Sequence, residues 1–229
     1  MLRLEHVALR YGEGSEVLHD VNLSLRRGQL LYVMGPSGAG KTSLLRLLAL
    51  LRLPSVGRLR MFEEDVALLD RHRLAALRRR IGMVFQDVRL LDHLSVFNNV
   101  ALPLRINGAR DEQIGSVVSE MLTWLGLGDV IETRPSILSM GQRQLVSIAR
   151  AVITRPNLLL CDEPTANLDG KLARRLMHLF TQLSRLGTTV VLTTHSDDLV
   201  ERYPQPILHI AGGRLSGPRL APAALAAAA

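Results

Sequence analysis

Cysteine is almost missing from this 229-residue chain: Cys161 stands alone, with no second cysteine to pair with. An internal disulfide is excluded, and an oxidising compartment is not implied. Long apolar runs are missing as well. The longest strongly apolar stretch, Leu44 to Leu53, is interrupted by Arg46 and Arg52. A membrane-spanning helix needs roughly 18 consecutive apolar residues. The opening MLRLEHVALRYGEG alternates polar and apolar residues and has no signal-peptide block. Lysine is scarce: Lys41 and Lys171 are the only two, and every other basic side chain apart from histidine is arginine. These absences lead to the expectation of a soluble protein from a reducing compartment.

What is present bounds the fold. With 47% hydrophobic and 21% charged residues the chain can bury a sizeable core, so wholesale disorder is excluded. Its length suits one domain, or one domain carrying a subdomain. The net charge of +7 and a sequence pI near 10.6 suit anionic partners. A nucleotide, a nucleic acid and an acidic membrane face all qualify, and the charge does not choose among them.

Hydrophobic periodicity places the elements. Residues 2–9 and 17–25 alternate like strands of a half-solvated antiparallel sheet. Leu30 to Met34 reads as a short buried strand, followed by a helix from Lys41 to Leu51. Gly57 to Phe62 and Ile81 to Phe85 read as strands flanking a basic helix over 70–80. Helical spacing dominates about 87–157, in Val96 to Leu104, Glu112 to Leu125 and Gly141 to Thr154. Strand–helix alternation then resumes with LLLCD, a helix over 169–186, TTVVLTT, a short helix near 197–203 and a strand from Ile207 to Ile210. Such alternation predicts an α/β fold with a mainly parallel core sheet. An N-terminal antiparallel β subdomain and an inserted α-helical subdomain complete it. Residues 1–217 form the expected domain and 218–229 a low-complexity tail, and the chain shows no internal repeats.

Two strand ends carry chemistry. Gly35-Pro36-Ser37-Gly38-Ala39-Gly40-Lys41-Thr42, with Ser43 following, fits G-x-x-x-x-G-K-[ST] between a strand and a helix. Glycines let successive N–H groups turn toward phosphate oxygens, and the helix N-terminus adds its positive end. Lys41 would reach the β- and γ-phosphates of a nucleotide, and the Thr42 hydroxyl would ligate Mg²⁺. Leu158 to Asp162 is an apolar strand ending in Asp162 and Glu163. Beside a phosphate loop, Asp162 is placed to hold Mg²⁺, and Glu163 to deprotonate an attacking water. Acidic residues also end strands for no chemical reason, so the phosphate loop carries that pairing. His195, after Val190 to Thr194, would contact the γ-phosphate or serve structure alone. Gln86, after Ile81 to Phe85, has the same two readings. Tyr11 is either an adenine platform or packing, and Cys161 a small core residue.

In this order the pieces resemble the ATP-binding subunits of ABC transporters, over residues 1 to about 217. Leu138-Ser139-Met140-Gly141-Gln142 is similar to that family's LSGGQ signature and precedes the helical run QLVSIARAV. The resemblance implies two ATP molecules sandwiched in a head-to-tail homodimer. Ser139, Gly141 and Gln142 of one subunit would face the γ-phosphate held by the other. It further implies Asp169, in Ala166-Asn167-Leu168-Asp169, as the D-loop residue and Gln86 as the Q-loop residue and a third Mg²⁺ ligand. His195 becomes the switch histidine and Tyr11 the A-loop aromatic. Met140 stands where the family usually has glycine, and Gln142 where close relatives often have glutamate. A thioether near the γ-phosphate would weaken closure and slow hydrolysis.

The segment Arg79 to Asp87, continuing through Arg89 to His93 and Asn99 to Leu104, resembles the cell-division (FtsE) branch of the family. That resemblance implies an FtsX-like integral membrane subunit as partner. It also implies a peripheral position on the cytoplasmic face of the bacterial inner membrane and no direct nucleic-acid contact. The basic helix with Arg71, Arg73, Arg78, Arg79 and Arg80 would face an acidic leaflet or simply solvent. Lipoprotein-releasing and macrolide-exporting ATPases carry similar text. A DNA-maintenance ATPase would also be basic, but it usually carries a long coiled coil or zinc modules between its halves. Neither sustained heptads nor cysteine pairs occur here. A small-molecule P-loop kinase would leave Leu138 to Gln142 unexplained.

Overall fold

A computed structural model describes residues 1–166 and 168–219. Strands β1 (Leu2–Arg10) and β2 (Glu16–Leu25) pair antiparallel. Along β1, Leu2, Leu4, Val7 and Leu9 are buried while Arg3 and Arg10 are exposed. The alternation slips between Leu4 and Val7, where His6 takes a positive φ of 49° and breaks the register. Then follow β3 (Leu30–Met34), α1 (Lys41–Leu48), β4 (Val56–Met61) and β5 (Glu64–Asp65). Next come α2 (Arg71–Arg78), β6 (Ile81–Val84), α3 (Val96–Ile106), α4 (Asp111–Trp124) and α5 (Met140–Val152). The chain continues through β7 (Leu158–Asp162), α6 (Gly170–Arg185), β8 (Thr189–Thr193), α7 (Asp197–Arg202), β9 (Ile207–Ala211) and β10 (Arg214–Arg219).

Two sheets result. One is antiparallel, in the order β2-β1-β4-β5, and the other runs β10-β9-β3-β8-β7-β6. In the second sheet β9, β3, β8, β7 and β6 are parallel, so their carboxyl ends share one edge. Both faces of this sheet are covered, which is why its central strands are apolar without a break. Leu31, Val33, Leu158, Leu160 and Val191 point into a core shared with α1 and the antiparallel sheet. Leu30, Tyr32, Leu159, Cys161, Val190 and Leu192 point the other way, into a core completed by helices α3 to α6. At about 1.5–3 kcal/mol for each large aliphatic side chain taken from water, these two layers are the main stabilising term. The three helices α3, α4 and α5 lie between β6 and β7 in the chain, with no strand among them.

The arginines of the basic helix stay exposed, yet several of them bond within the chain. Arg73 pairs with Glu64. Arg78 donates twice to the Leu50 carbonyl, at 3.0 and 2.7 Å. Arg80 lies 3.9 Å over the Phe62 ring and donates to Asn157. These contacts fasten α2 to the turn after α1 and to the antiparallel sheet. Arg71 and Arg79 make no ion pair among the described residues.

Elements expected from the sequence are present, with shifted ends. Helix α1 stops at Leu48 rather than Leu51, because Leu50 adopts a left-handed φ of 57° and its carbonyl turns to Arg78. Strand β6 stops at Val84, one residue before Phe85. β5 and β10 are additional. β10 returns from β9 through the two-residue turn Gly212-Gly213 and runs to Arg219, past the expected boundary at 217. The rest of the alanine-rich tail, 220–229, lies outside the described residues, as does Asn167 of the expected D-loop. No helix among the described residues is long and apolar enough to cross a membrane.

Candidate active site

Because β3, β8, β7 and β6 are parallel neighbours, the segments that leave their carboxyl ends converge. The loop from Gly35 to Gly40 leaves β3 and turns into α1. At Gly35 an added Cβ would stand 2.0 Å from the Ile210 carbonyl oxygen, so no side chain fits against β9. Gly40, at φ 107°, opens α1 in a conformation that other residues rarely adopt. It supplies no side-chain cap. The first N–H groups of α1 thus lack the partner that Asp70, Ser95, Ser139, Asp169 and Ser196 give to α2, α3, α5, α6 and α7. Lys41 Nζ meanwhile donates to the carbonyls of Gly35 at 2.7 Å and Pro36 at 3.0 Å. The chain's rare lysine is folded over its own loop, with uncapped N–H donors beneath.

Asp162, 3% exposed, ends β7 opposite this helix. Its Oδ2 accepts from Thr42 Oγ1 at 2.8 Å, and its Oδ1 accepts from Thr193 Oγ1 at 2.7 Å. Glu163 turns away from its neighbour through a left-handed φ of 51°. Its Oε1 lies 2.9 Å from His195 Nδ1. The histidine side chain is 74% exposed and the glutamate 11%, so His195 sits over the carboxylate on the solvent side. Cys161, one residue back, faces the opposite core. Complete burial, and secondarily the Asp162 charge, push its thiol well above the ordinary range.

These groups line one open cavity of about 560 Å³. Gly35, Pro36, Ser37, Gly38, Gly40, Lys41, Thr42 and Ser43 form one wall, and Gln86, Asp162, Glu163 and His195 the other. Val17 and Ala166 also line it, which the sequence did not signal. Ala39, buried, lies behind the loop, where its carbonyl accepts from Gly213 N–H at 3.1 Å. Tyr11 lies outside the lining. Its hydroxyl donates to Ser43 Oγ at 3.2 Å, and the Arg52 guanidinium sits 5.2 Å from its ring centroid. Ser139, Gly141, Gln142 and Asp169 are also elsewhere. Ser139 and Gln142 bond each other across the first turn of α5 in a reciprocal cap, at 3.2 and 3.0 Å. Asp169 caps α6 through the Leu172 N–H at 2.8 Å. Met140, the first residue of α5, is 55% exposed.

A divalent cation fits this donor set. One hydroxyl, one carboxylate and a side-chain amide, from Thr42, Asp162 and Gln86, border a common space. No group of three or more His, Cys, Asp or Glu that could cage a metal exists among the described residues. The donors that Thr42, Asp162 and Gln86 offer are all oxygens, the ligand type that Mg²⁺ takes. A second depression, of about 310 Å³, lies between β6, α3 and α5. Arg78, Arg79, Phe85, Leu102, Pro103, Ile106 and Arg150 contribute to it. Arg150 reaches from α5 to the Arg89 carbonyl at 2.6 Å, tying that helix to the segment after Gln86.

A phosphate loop, a strand-end Asp-Glu pair and a histidine at the next strand define an ATPase of the ABC type, and the chain belongs to the ABC transporter family. Residues 18–166 match the family model described as ABC transporter. The solved structure of the ATP-binding cassette MJ0796, a dimer bound to ADP and Pi, superposes with a TM-score of 0.89 at 31% identity. The match covers 96% of this chain and 98% of that one. Among curated relatives, the methionine import ATP-binding protein MetN of Xylella fastidiosa is 42% identical over 94% of this chain. The cell division ATP-binding protein FtsE of Escherichia coli K12 is 40% identical over 95%. The chain spans 65% of the length of that MetN and 98% of that FtsE. It is an ATP hydrolase of this family, about as similar to one branch as to the other.

Proposed function

We propose that this chain is the ATP-binding and hydrolysing subunit of an FtsE–FtsX-type complex. It would couple ATP hydrolysis on the cytoplasmic face of the inner membrane to cell division and to activation of cell-wall hydrolases. The observation that carries the chemistry is the cavity in which Lys41, Thr42, Asp162, Glu163 and His195 converge. In this reading residues 1–217 form the nucleotide-binding domain, with a helical subdomain over about 87–157. The Gly35 to Ser43 loop and the N-terminus of α1 bind the phosphates. Lys41 exchanges the Gly35 and Pro36 carbonyls for β- and γ-phosphate oxygens. Thr42, Asp162 and Gln86 would hold Mg²⁺, which would supply positive charge against the phosphates. Glu163, held by His195, takes a proton from water as its oxygen bonds the γ-phosphorus and the bond to the β–γ bridging oxygen breaks, leaving ADP and phosphate. Tyr11 supports the adenine.

Ser139, Gly141, Gln142 and Asp169 lie outside the cavity of their own chain, which supports a role for them in the site of a second copy. A head-to-tail homodimer would bring them there. The groove beside Phe85, Leu102 and Ile106 is the proposed seat of the membrane subunit, because it adjoins Gln86 and is tied to α5 through Arg150. The Arg79 to His93 segment, similar to the cell-division branch, borders it. A methionine-import role is the second reading, favoured by the 42% identity to MetN.

A tagged pull-down from detergent-solubilised membranes decides between them. Co-purification of a small FtsX-like subunit with a modest extracytoplasmic domain supports the division reading. Recovery of an importer or exporter permease keeps the site and replaces the role. A chain recovered with no membrane protein at all overturns both.

A further inference from the structure

We propose that Thr193 is a positioning residue for ATP hydrolysis, holding Asp162 and Glu163 with one hydroxyl. The inference rests on the catalytic roles just proposed for those two carboxylates. β8 lies between β3 and β7, so its last residue stands between the phosphate loop and the acidic pair. Thr193 is in register with Asp162 across the parallel ladder, so both side chains leave the same face of the sheet. Thr193 is fully buried. Its Oγ1 donates to Asp162 Oδ1 at 2.7 Å, while the Glu163 backbone N–H donates to the same oxygen at 3.0 Å.

Each bond has a separate consequence. The donation to Oδ1 fixes the rotation of the Asp162 carboxylate, which leaves Oδ2 facing Thr42 Oγ1. The bond from the Glu163 N–H anchors a backbone held at φ 51°, a left-handed conformation that costs energy for a residue with a side chain. Without that anchor, the direction of the Glu163 side chain toward the cavity loses its support. Valine has nearly the same shape as threonine and would fill the same buried space, yet it offers neither bond.

The test compares the purified full chain with Thr193→Val and Thr193→Ser, measuring Mg²⁺-dependent ATP turnover across ATP concentrations. ATP affinity in EDTA and the thermal midpoint are recorded beside it. Loss of one charge-assisted hydrogen bond predicts about a tenfold fall in kcat for Thr193→Val. KM for ATP and the affinity in EDTA stay near wild type, and Thr193→Ser restores turnover. Should the valine variant not fold, Thr193→Ala against Thr193→Ser makes the same comparison. Wild-type turnover in the hydroxyl-free variant overturns the inference alone. A serine variant that falls as far as valine also overturns it, assigning the effect to packing. A wild-type chain without Mg²⁺-dependent turnover overturns the proposed site and the inference with it.

Discussion

At the scale of single residues, consecutive positions of β7 have opposite fates. Asp162 faces the phosphate loop and is held by two hydroxyls, while Cys161 faces the helical layer with no exposed surface. The thiol is therefore neutral and sealed. Iodoacetamide at pH 8 should leave the native chain unmodified and alkylate it only after denaturation; alkylation of the folded chain at the rate of a free thiol would contradict this burial. The sign of the pH effect follows. Because folding raises the thiol pKa above its ordinary value near 9, the neutral thiol's contribution is complete below that pH. It is lost progressively above that value, where the unfolded chain gains thiolate first, as pH rises to the higher folded value. Cys161 as a core residue was legible, since an apolar strand surrounds it. The left-handed turn at Glu163 and the Thr193 hydroxyl beside Asp162 were not. Both depend on which strand lies next to β7, and one sequence does not display register between segments about thirty residues apart.

At the scale of elements, helix starts were the most legible feature and helix ends the least. The expected starts at Lys41 and Val96 are those of α1 and α3, whereas the capping box of Ser139 and Gln142 that opens α5 one residue before the expected Gly141 is a finding of the structure. This gives Gln142 a physical account, since glutamine and glutamate both close the box. Ser139→Ala removes the cap and should cost about 1 kcal/mol. Gln142→Glu should leave stability near wild type. Chemical denaturation of the three proteins checks both statements, and an unchanged Ser139→Ala midpoint would show that packing of α5 carries its N-terminus alone. The missed strand β10 had a signal: Gly212-Gly213 between two short runs is a two-residue hairpin turn. A glycine and a proline inside 214–219 masked it. The early stop of α1 had none, because it comes from Arg78 bonding the Leu50 carbonyl across 28 residues.

At the scale of the whole molecule, one chain gathers only part of the residues that the family resemblance implies for a nucleotide site. The phosphate loop, Asp162, Glu163 and His195 share a cavity, while the α5 N-terminus presents Met140 and Ile137 to solvent, 55% and 71% exposed. Two exposed apolar side chains beside Ser139 suit a surface that meets another copy, and in the proposed dimer the bulk of Met140 would set how closely that copy can approach. Glu163→Gln removes the proposed base but not the phosphate-binding loop. It should reduce turnover by at least about a hundredfold and, with ATP and Mg²⁺, sediment as a dimer. A monomer under those conditions would remove the sandwich from the mechanism. Met140→Gly in the otherwise wild-type chain should then raise turnover, since relieving a steric obstacle to closure speeds the step that closure precedes. Level turnover would remove Met140 as an obstacle, and a drop would mean that it packs productively against the opposing site. In that case its departure from the family's glycine would strengthen the dimer rather than restrain it.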